Sequence, residues 1–109
     1  MPHIIIEHSE NLPILPQVLV ERVHKAAIAT ELFDPITVKT RAAAYQHFTI
    51  ADHLDGFVHI QAHIMAGRTT EQKQVLSEAL LECLSTYCSE FYSLSVHVYD
   101  LLPDIYRKI

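Results

Sequence analysis

The chain has 109 residues, half of them hydrophobic, and a formal net charge of −5 with eight histidines. This length predicts one globular domain, 1–109, and the acidic balance excludes a general nucleic-acid surface, which needs a basic face. No apolar run is long enough to span a membrane, and Cys83 and Cys88 form neither a metal nor a disulfide motif. We therefore expect a cytoplasmic protein with reduced thiols and no membrane or nucleic-acid partner.

Pro2 directly follows Met1, at a junction that methionine aminopeptidase cleaves because the second residue is small. Residues 2–8 have the pattern of a strand with His3 and His8 on opposite faces, so cleavage would leave a prolyl amine held at its start. Burial lowers the pKa of an amine below its usual value of about 8, which would make it a general base near neutral pH. A strand start also tolerates proline for purely structural reasons, since no ladder N–H is needed there.

The remainder of the first half predicts a helix and a strand. Apolar residues at helical spacing follow Pro16, and the helix is expected to end near Leu32 because Asp34-Pro35 disfavours helical backbone. A second strand is expected at 41–50.

The second half repeats this order. Strict alternation predicts a third strand at 57–65. Thr69 and Gln72 have the spacing of a capping box at the start of a second helix, and a fourth strand around 94–98 is closed by Pro103.

Together these elements predict an α+β fold made of two β-α-β halves, about 2–50 and 57–102. Each crossover joins parallel strands, which gives a four-stranded mixed sheet with both helices on one face. No third helix remains to cover the other face, so we expect association with further copies in a closed cyclic assembly.

Four stretches along the chain carry a resemblance to a known family: MPHIIIEHSEN at 1–11, KTRA at 39–42, FVHI at 57–60 and AGRT at 66–69. With them the chain resembles the 5-carboxymethyl-2-hydroxymuconate isomerases of the tautomerase superfamily. The resemblance implies a tautomerase-type fold, a homotrimer, no metal or organic cofactor, and a small-molecule carboxylate substrate. It also implies the shift of a proton and a double bond in an unsaturated keto or enol dicarboxylate of homoprotocatechuate degradation.

The resemblance also assigns roles to single residues. Pro2 matches the catalytic base, and Arg41 matches an arginine that grips a substrate carboxylate and stabilises the dienolate across a subunit contact. Lys39, two residues earlier on the same face, stands where the family pattern has arginine and keeps the charge without the bidentate geometry. Arg68 is either a further carboxylate ligand or simply a residue at the start of the second helix.

Two other functions remain open from the sequence: a tautomerase of a smaller keto-acid of the phenylpyruvate type, and a non-catalytic trimeric binding protein. His59 and His63 lie about 13 Å apart along one strand face, too far for one metal, and we interpret them as a sheet-face cluster. Tyr45 and His47 are expected to alternate inward with Arg41 and Ala43, where they could line the pocket, and we assign neither a catalytic role.

Overall fold

The computed structural model describes residues 1–109, in the order strand, helix, strand, strand, helix, strand. These elements are β1 (His3–Ser9), α1 (Pro16–Ala29), β2 (Lys39–Tyr45), β3 (Gly56–Met65), α2 (Thr70–Tyr87) and β4 (Tyr92–Leu101), with a short 3-10 turn at Pro35–Thr37. Neither helix is long and apolar enough to cross a membrane.

The four strands form one mixed sheet in the order β2-β1-β3-β4. β1 and β2 are parallel, β3 and β4 are parallel, and β1 pairs antiparallel with β3. Both parallel pairs have the same register, because His3 lies opposite Lys39 and Gly56 opposite Tyr92, 36 positions apart in each case. The expected α+β fold of two tandem β-α-β units is confirmed.

The hydrophobic core lies between the sheet and the two helices. Successive side chains of a strand point to opposite faces, so every second residue of β1 and β3 is buried. Helical residues about four positions apart form one stripe and pack against them. The core comprises Ile4, Ile6, Val58, Ile60, Ala62 and Ile64 from the strands, and Leu19, Val23, Ala27, Leu76, Leu80 and Leu84 from the helices.

The predicted end of the first helix near Leu32 was wrong, because α1 ends at Ala29. The Thr30 hydroxyl donates to the Ala27 carbonyl at 2.6 Å, and Glu31 adopts a left-handed backbone with φ 61°. A hydroxyl that bonds the nearby backbone competes with the helix ladder, and a left-handed residue terminates it. Helix termination is thus decided locally, before the Asp34-Pro35 step is reached.

The predicted bounds of the second strand, 41–50, were also wrong, since β2 begins at Lys39 and ends at Tyr45. Tyr45 lies opposite Ser9, the last residue of β1, so residues beyond it have no neighbouring strand to pair with. Tyr45 shares the face of Arg41 as expected, whereas His47 lies past the strand and does not alternate inward.

The capping box predicted at the second helix is confirmed. The Gln72 backbone N–H donates to Thr69 Oγ1 at 3.1 Å, and the Thr69 N–H donates to Gln72 Oε1 at 2.9 Å. Two amide groups at the helix start are therefore satisfied by side chains, which fixes the point where α2 leaves β3.

No helix covers the second face of the sheet, which we call the open sheet face. Side chains here alternate with those of the core and are polar for the most part, including four histidines. The face is formed by His3, Ile5 and Glu7 of β1, Lys39, Arg41, Ala43 and Tyr45 of β2, Phe57, His59, Gln61 and His63 of β3, and Ser93, Ser95, His97 and Tyr99 of β4.

Gly56 generates a prediction about stability, because a Cβ at this position would overlap Ser9 Oγ at the end of β1. Gly56→Ala should lower the free energy of unfolding by about 1–3 kcal/mol in urea titrations, as overpacking does. Ser9→Ala alone should cost about 1 kcal/mol, since the Phe57 N–H loses its 3.1 Å partner. The double variant should lose less than the sum, because the closest overlap, with Ser9 Oγ, is gone and only the milder one with Asn11 Oδ1 at 2.9 Å is left. A fully additive loss would contradict the steric explanation.

Candidate active site

Pro2 lies at the head of β1 with its ring fully buried. The Pro2 carbonyl accepts a 3.1 Å hydrogen bond from the Lys39 backbone N–H, which ties the amino end of β1 to the first residue of β2. By the alternation along β1, Pro2 faces the helices, as Ile4 does. The amino end of the chain is therefore held by the fold and does not form a loose tail.

Three cations act on the amino terminus. The pKa of the Met1 amine is lowered first by burial and then by the positive charges of Lys39, Arg68 and Lys108. Positive neighbours disfavour the ammonium form and so favour a neutral amine. The sequence had suggested Lys39 and Arg68 as site residues, but it carried no signal for Lys108, because the tail has neither periodicity nor a motif.

Arg68 packs against the loop that follows α1. Its guanidinium donates to the Leu32 carbonyl and its central carbon lies 5.5 Å from the centre of the Phe33 ring. This contact is a cation–π arrangement that anchors the side chain. Part of its hydrogen-bonding capacity is thus committed to the protein, while its charge still reaches the amino terminus.

Arg41 lies on the open sheet face, opposite Ile5 of β1. Its Nη1 lies 3.2 Å from Nδ1 of His3, and the side chain is otherwise exposed. Lys39 shares this face, as the spacing of two predicted. Pro2 faces the helices and Arg41 faces away from them, so within one chain the two side chains point to opposite faces of the sheet.

A chain of hydrogen bonds crosses the open sheet face beside Arg41. The Tyr45 hydroxyl and the Gln61 amide, the latter at 3.1 Å, both donate to the Glu7 carboxylate, and Gln61 Oε1 faces His63 Nε2 at 3.0 Å. The hydrogen bond from Tyr45 to Glu7, followed by the negative charge of Glu7, raises the pKa of the tyrosine. Both oxygens of Glu7 are thereby engaged in orienting neighbours.

Two histidines of the open sheet face have a lowered pKa. For His3 the main cause is burial, followed by the charges of Arg41 and Lys39. For His63 it is again burial, followed by Arg41. Both imidazoles are therefore held toward their neutral form, which is able to accept a hydrogen bond.

Two grooves run along the unpaired edges of the sheet and neither is lined by Pro2. The larger, about 540 Å³, lies between α1 and β2, where Glu21, His24, Lys39 and Arg41 are among its lining residues. The smaller, about 230 Å³, lies between α2 and β4. Concave space in one chain is thus found at the two outer edges of the sheet.

A family model for 5-carboxymethyl-2-hydroxymuconate isomerase matches residues 2–100. The chain belongs to this family of isomerases. The 5-carboxymethyl-2-hydroxymuconate Delta-isomerase of Escherichia coli is 30% identical over an alignment of 118 residues, gaps included. The alignment covers 99% of this chain and 93% of that protein. The resemblance seen in the four sequence stretches is confirmed, as is the assignment of the chain to the isomerases.

Solved structures agree with this family membership. A 5-carboxymethyl-2-hydroxymuconate isomerase from Deinococcus radiodurans R1 matches with a TM-score of 0.85 at 26% identity, over 99% of this chain and 88% of that chain. A fused 4-OT protein solved as a symmetric trimer matches with a TM-score of 0.77 at 16% identity, over 92% of this chain and 85% of that chain. The latter similarity concerns the fold alone.

The lowered pKa values generate a prediction about the pH dependence of stability of this isomerase. His3 and His63 both titrate below 6.5 in the folded chain, so the unfolded chain binds protons first as the pH falls. The contribution of these two histidines to the free energy of unfolding is fully present above pH about 6.5 and is lost as the pH falls below that value. Urea unfolding between pH 7.5 and 5 should show this decline.

The double variant His3→Asn/His63→Asn should flatten the decline, since neither asparagine titrates. His53→Asn, at an exposed turn position, is the matched control and should leave the curve of the parent unchanged. An undiminished decline in the double variant would show that other groups cause it.

Proposed function

We propose that this chain is a cofactor-independent isomerase in which Pro2, freed by removal of Met1, is the general base. The substrate is an unsaturated keto or enol acid with more than one carboxylate, such as 5-carboxymethyl-2-hydroxymuconate, in the cytoplasmic degradation of homoprotocatechuate. The observation that carries the proposal is the burial of Pro2 at the head of β1, with three cations acting on the amino terminus. The names of the E. coli and D. radiodurans relatives support the substrate class.

The environment of the amino terminus favours a neutral base. While Met1 is attached, the Pro2 nitrogen is an amide and has no usable basicity. Once Met1 is removed, the secondary amine lies one residue deeper, beside a fully buried ring. Burial and the charges that lower the pKa of the Met1 amine would act on it in the same direction and favour its neutral, basic form.

The reaction is a proton transfer with no net redox change. The Pro2 lone pair removes a proton from a carbon next to the conjugated carbonyl, and the electron pair of that C–H bond spreads into a dienolate. The prolinium then returns the proton to a different carbon of the conjugated system, which shifts the double bond. Cations beside the developing negative charge stabilise the dienolate, because they are already in place when the charge develops.

Binding of substrate carboxylates requires cations, and the sequence predicted Lys39, Arg41 and Arg68 for this task. Lys39 and Arg68 lie at the amino terminus of the same chain, where their charges act on the Met1 amine. Lys39 offers a point charge on a flexible stem, whereas Arg41 is able to grip a carboxylate with two parallel hydrogen bonds. We assign Arg41 to the site of a neighbouring copy, since it lies on the opposite face from Pro2 of its own chain.

This assignment requires an oligomer, and we propose a homotrimer. The open sheet face lacks a covering helix, and the outer edges of the two edge strands, β2 and β4, are unpaired. The fused 4-OT neighbour, which shares the fold, is a symmetric trimer. A closed ring with the open faces inward would cover these surfaces without leaving further edges.

A tautomerase of a smaller keto-acid is the second candidate, and the hydrogen bond from Arg68 to the Leu32 carbonyl favours it. An arginine partly committed to the protein leaves fewer donors for a second carboxylate. A phenylpyruvate-type substrate needs only one cationic partner. Ultraviolet assays with a muconate dicarboxylate and with phenylpyruvate, run side by side, distinguish the two by their kcat/KM.

Replacing the base should slow the chemistry. We expect Pro2→Ala to lower kcat by about 10- to 100-fold, because a primary amine is still a base but lacks the fixed geometry of the ring. Intact mass must first show that Met1 is removed from both proteins. Pro13→Ala, in an exposed loop, is the matched control and should retain full activity. Unchanged turnover of every tested carboxylate by Pro2→Ala would disprove the proline mechanism.

Subunit mixing tests whether Arg41 serves a neighbouring copy. Arg41→Ala should raise KM by about 10- to 100-fold through loss of a charged hydrogen bond. The other chain in the mixture has an intact Arg41 but retains Met1, so its Pro2 nitrogen is an amide and cannot act as the base. Refolded together in equal amounts, the two chains should regain up to about a quarter of full activity. About a quarter of the cross-subunit sites then combine a free Pro2 from one chain with an intact Arg41 from its neighbour. Recovery that fails in verified mixed oligomers would place both residues in the site of one chain.

A further inference from the structure

Arg41 meets a hydrogen-bond acceptor within its own chain. Its Nη1 lies 3.2 Å from Nδ1 of His3, across the β1–β2 pairing. A guanidinium has donors only, so Nδ1 must carry the free lone pair. This contact therefore requires a neutral imidazole whose proton is on Nε2.

The opposite side of the imidazole is occupied by the C-terminal tail. Nε2 of His3 lies 3.0 Å from the Tyr106 hydroxyl, and the two rings meet edge to face with centres 6.1 Å apart. The backbone N–H of Tyr106 donates to the Leu102 carbonyl at 3.0 Å, which holds the tyrosine in a turn. With Nε2–H as the donor, the tyrosine oxygen accepts. The directions of both hydrogen bonds of His3 are then settled: Arg41 donates to Nδ1, and Nε2 donates to Tyr106.

Cationic or neutral groups face His3 from each neighbouring element. They are Arg41 and Lys39 on β2, His63 on β3, Tyr106 in the tail and the amino terminus. Together with burial, Arg41, Lys39, His63 and the amino terminus lower the pKa of His3. The neutral form that the contact with Arg41 needs is therefore the form that the surroundings favour.

We propose that His3 is a positioning residue for Arg41, and that Tyr106 selects the tautomer of His3 that performs this task. The imidazole occupies one guanidinium donor and leaves the others directed away from the sheet, toward the carboxylate of a substrate in the neighbouring copy. This proposal rests on the proposed function, in which Arg41 binds that carboxylate. It assigns a role to a histidine and to a tail residue that make no contact with the reacting atoms.

The proposal predicts a definite sign for the pH dependence of KM. Protonated His3 loses its acceptor, repels Arg41 and releases the guanidinium, so KM should rise as the pH falls from 7 to 5. If His3 were instead a direct carboxylate ligand, its added positive charge would strengthen binding and KM would fall. The direction of the change separates positioning from direct binding.

Substitutions of His3 provide the matched comparison on the processed full chain. The oxygen of asparagine lies close to where Nδ1 lies and accepts without titrating, so His3→Asn should keep KM within about threefold at pH 7.5 and abolish its rise at low pH. His3→Leu has no acceptor and should raise KM about tenfold with a smaller effect on kcat. Tyr106→Phe should raise KM about threefold, because the tautomer is no longer held. Equal KM values for the leucine, asparagine and parent proteins would overturn the proposal.

Arg41→Ala in the same assay distinguishes failure of this inference from failure of the proposed function. An unchanged KM in Arg41→Ala would remove Arg41 from the site, and the function proposed for it would fail. A raised KM in Arg41→Ala with an unchanged KM in His3→Leu would refute only the positioning role. Where KM is raised in both Arg41→Ala and His3→Leu, the double variant Arg41→Ala/His3→Leu should have a KM no higher than that of Arg41→Ala alone. Positioning has no effect without the guanidinium.

Nitrogen NMR supplies a readout that does not depend on activity. Labelled imidazole nitrogens of His3 should show the Nε2–H tautomer near neutral pH, and Tyr106→Phe should admit the other tautomer. Arg41→Ala should raise the pKa of His3 toward its ordinary value, since one of the charges that lowers it is gone. A dominant Nδ1–H tautomer in the parent protein would contradict the proposed direction of the bonds.

Discussion

The two-residue alternation along the central strand β1 is the constraint on which the remaining structure depends. Ile4 and Ile6 are fully buried beneath the helices, so the residues between them must face the other way. Pairing with β2 on one side and β3 on the other extends this division across the whole sheet. A core face and a polar open face result, and each site residue belongs to one face or the other.

This division places the proposed base and the proposed carboxylate ligand on different faces of the same chain. Pro2 continues the inward series of β1, whereas Arg41 belongs to the outward series of β2. Moving Pro2 to the other face would require a one-residue slip of β1, which would also expose the isoleucines of that strand. The proposed trimer, in which a neighbouring copy supplies Arg41, would join the two residues without disturbing the core, and the outer edges of the sheet are free for such a contact.

Local patterns in the sequence predicted most of the fold, and their failures have physical causes. The capping box of Thr69 and the alternation of β3 were correct because neighbouring residues alone determine them. The end of α1 was misplaced because the hydroxyl of Thr30 bonds the backbone before the proline step acts. The end of β2 was misplaced because strand length depends on the partner strand, whose last residue is Ser9. The roles of the predicted site residues stay predictions.

By itself, the sequence determined the order of elements, the faces of the strands and the family, since alternation and short motifs are written into consecutive positions. It also pointed to Pro2, Lys39, Arg41 and Arg68 as candidate site residues. Only the tertiary structure decided which charges meet the amino terminus, and that His3 links Arg41 to Tyr106, 103 positions from that histidine. Contacts between such distant segments depend on strand register and on the path of the tail. No local pattern encodes either one.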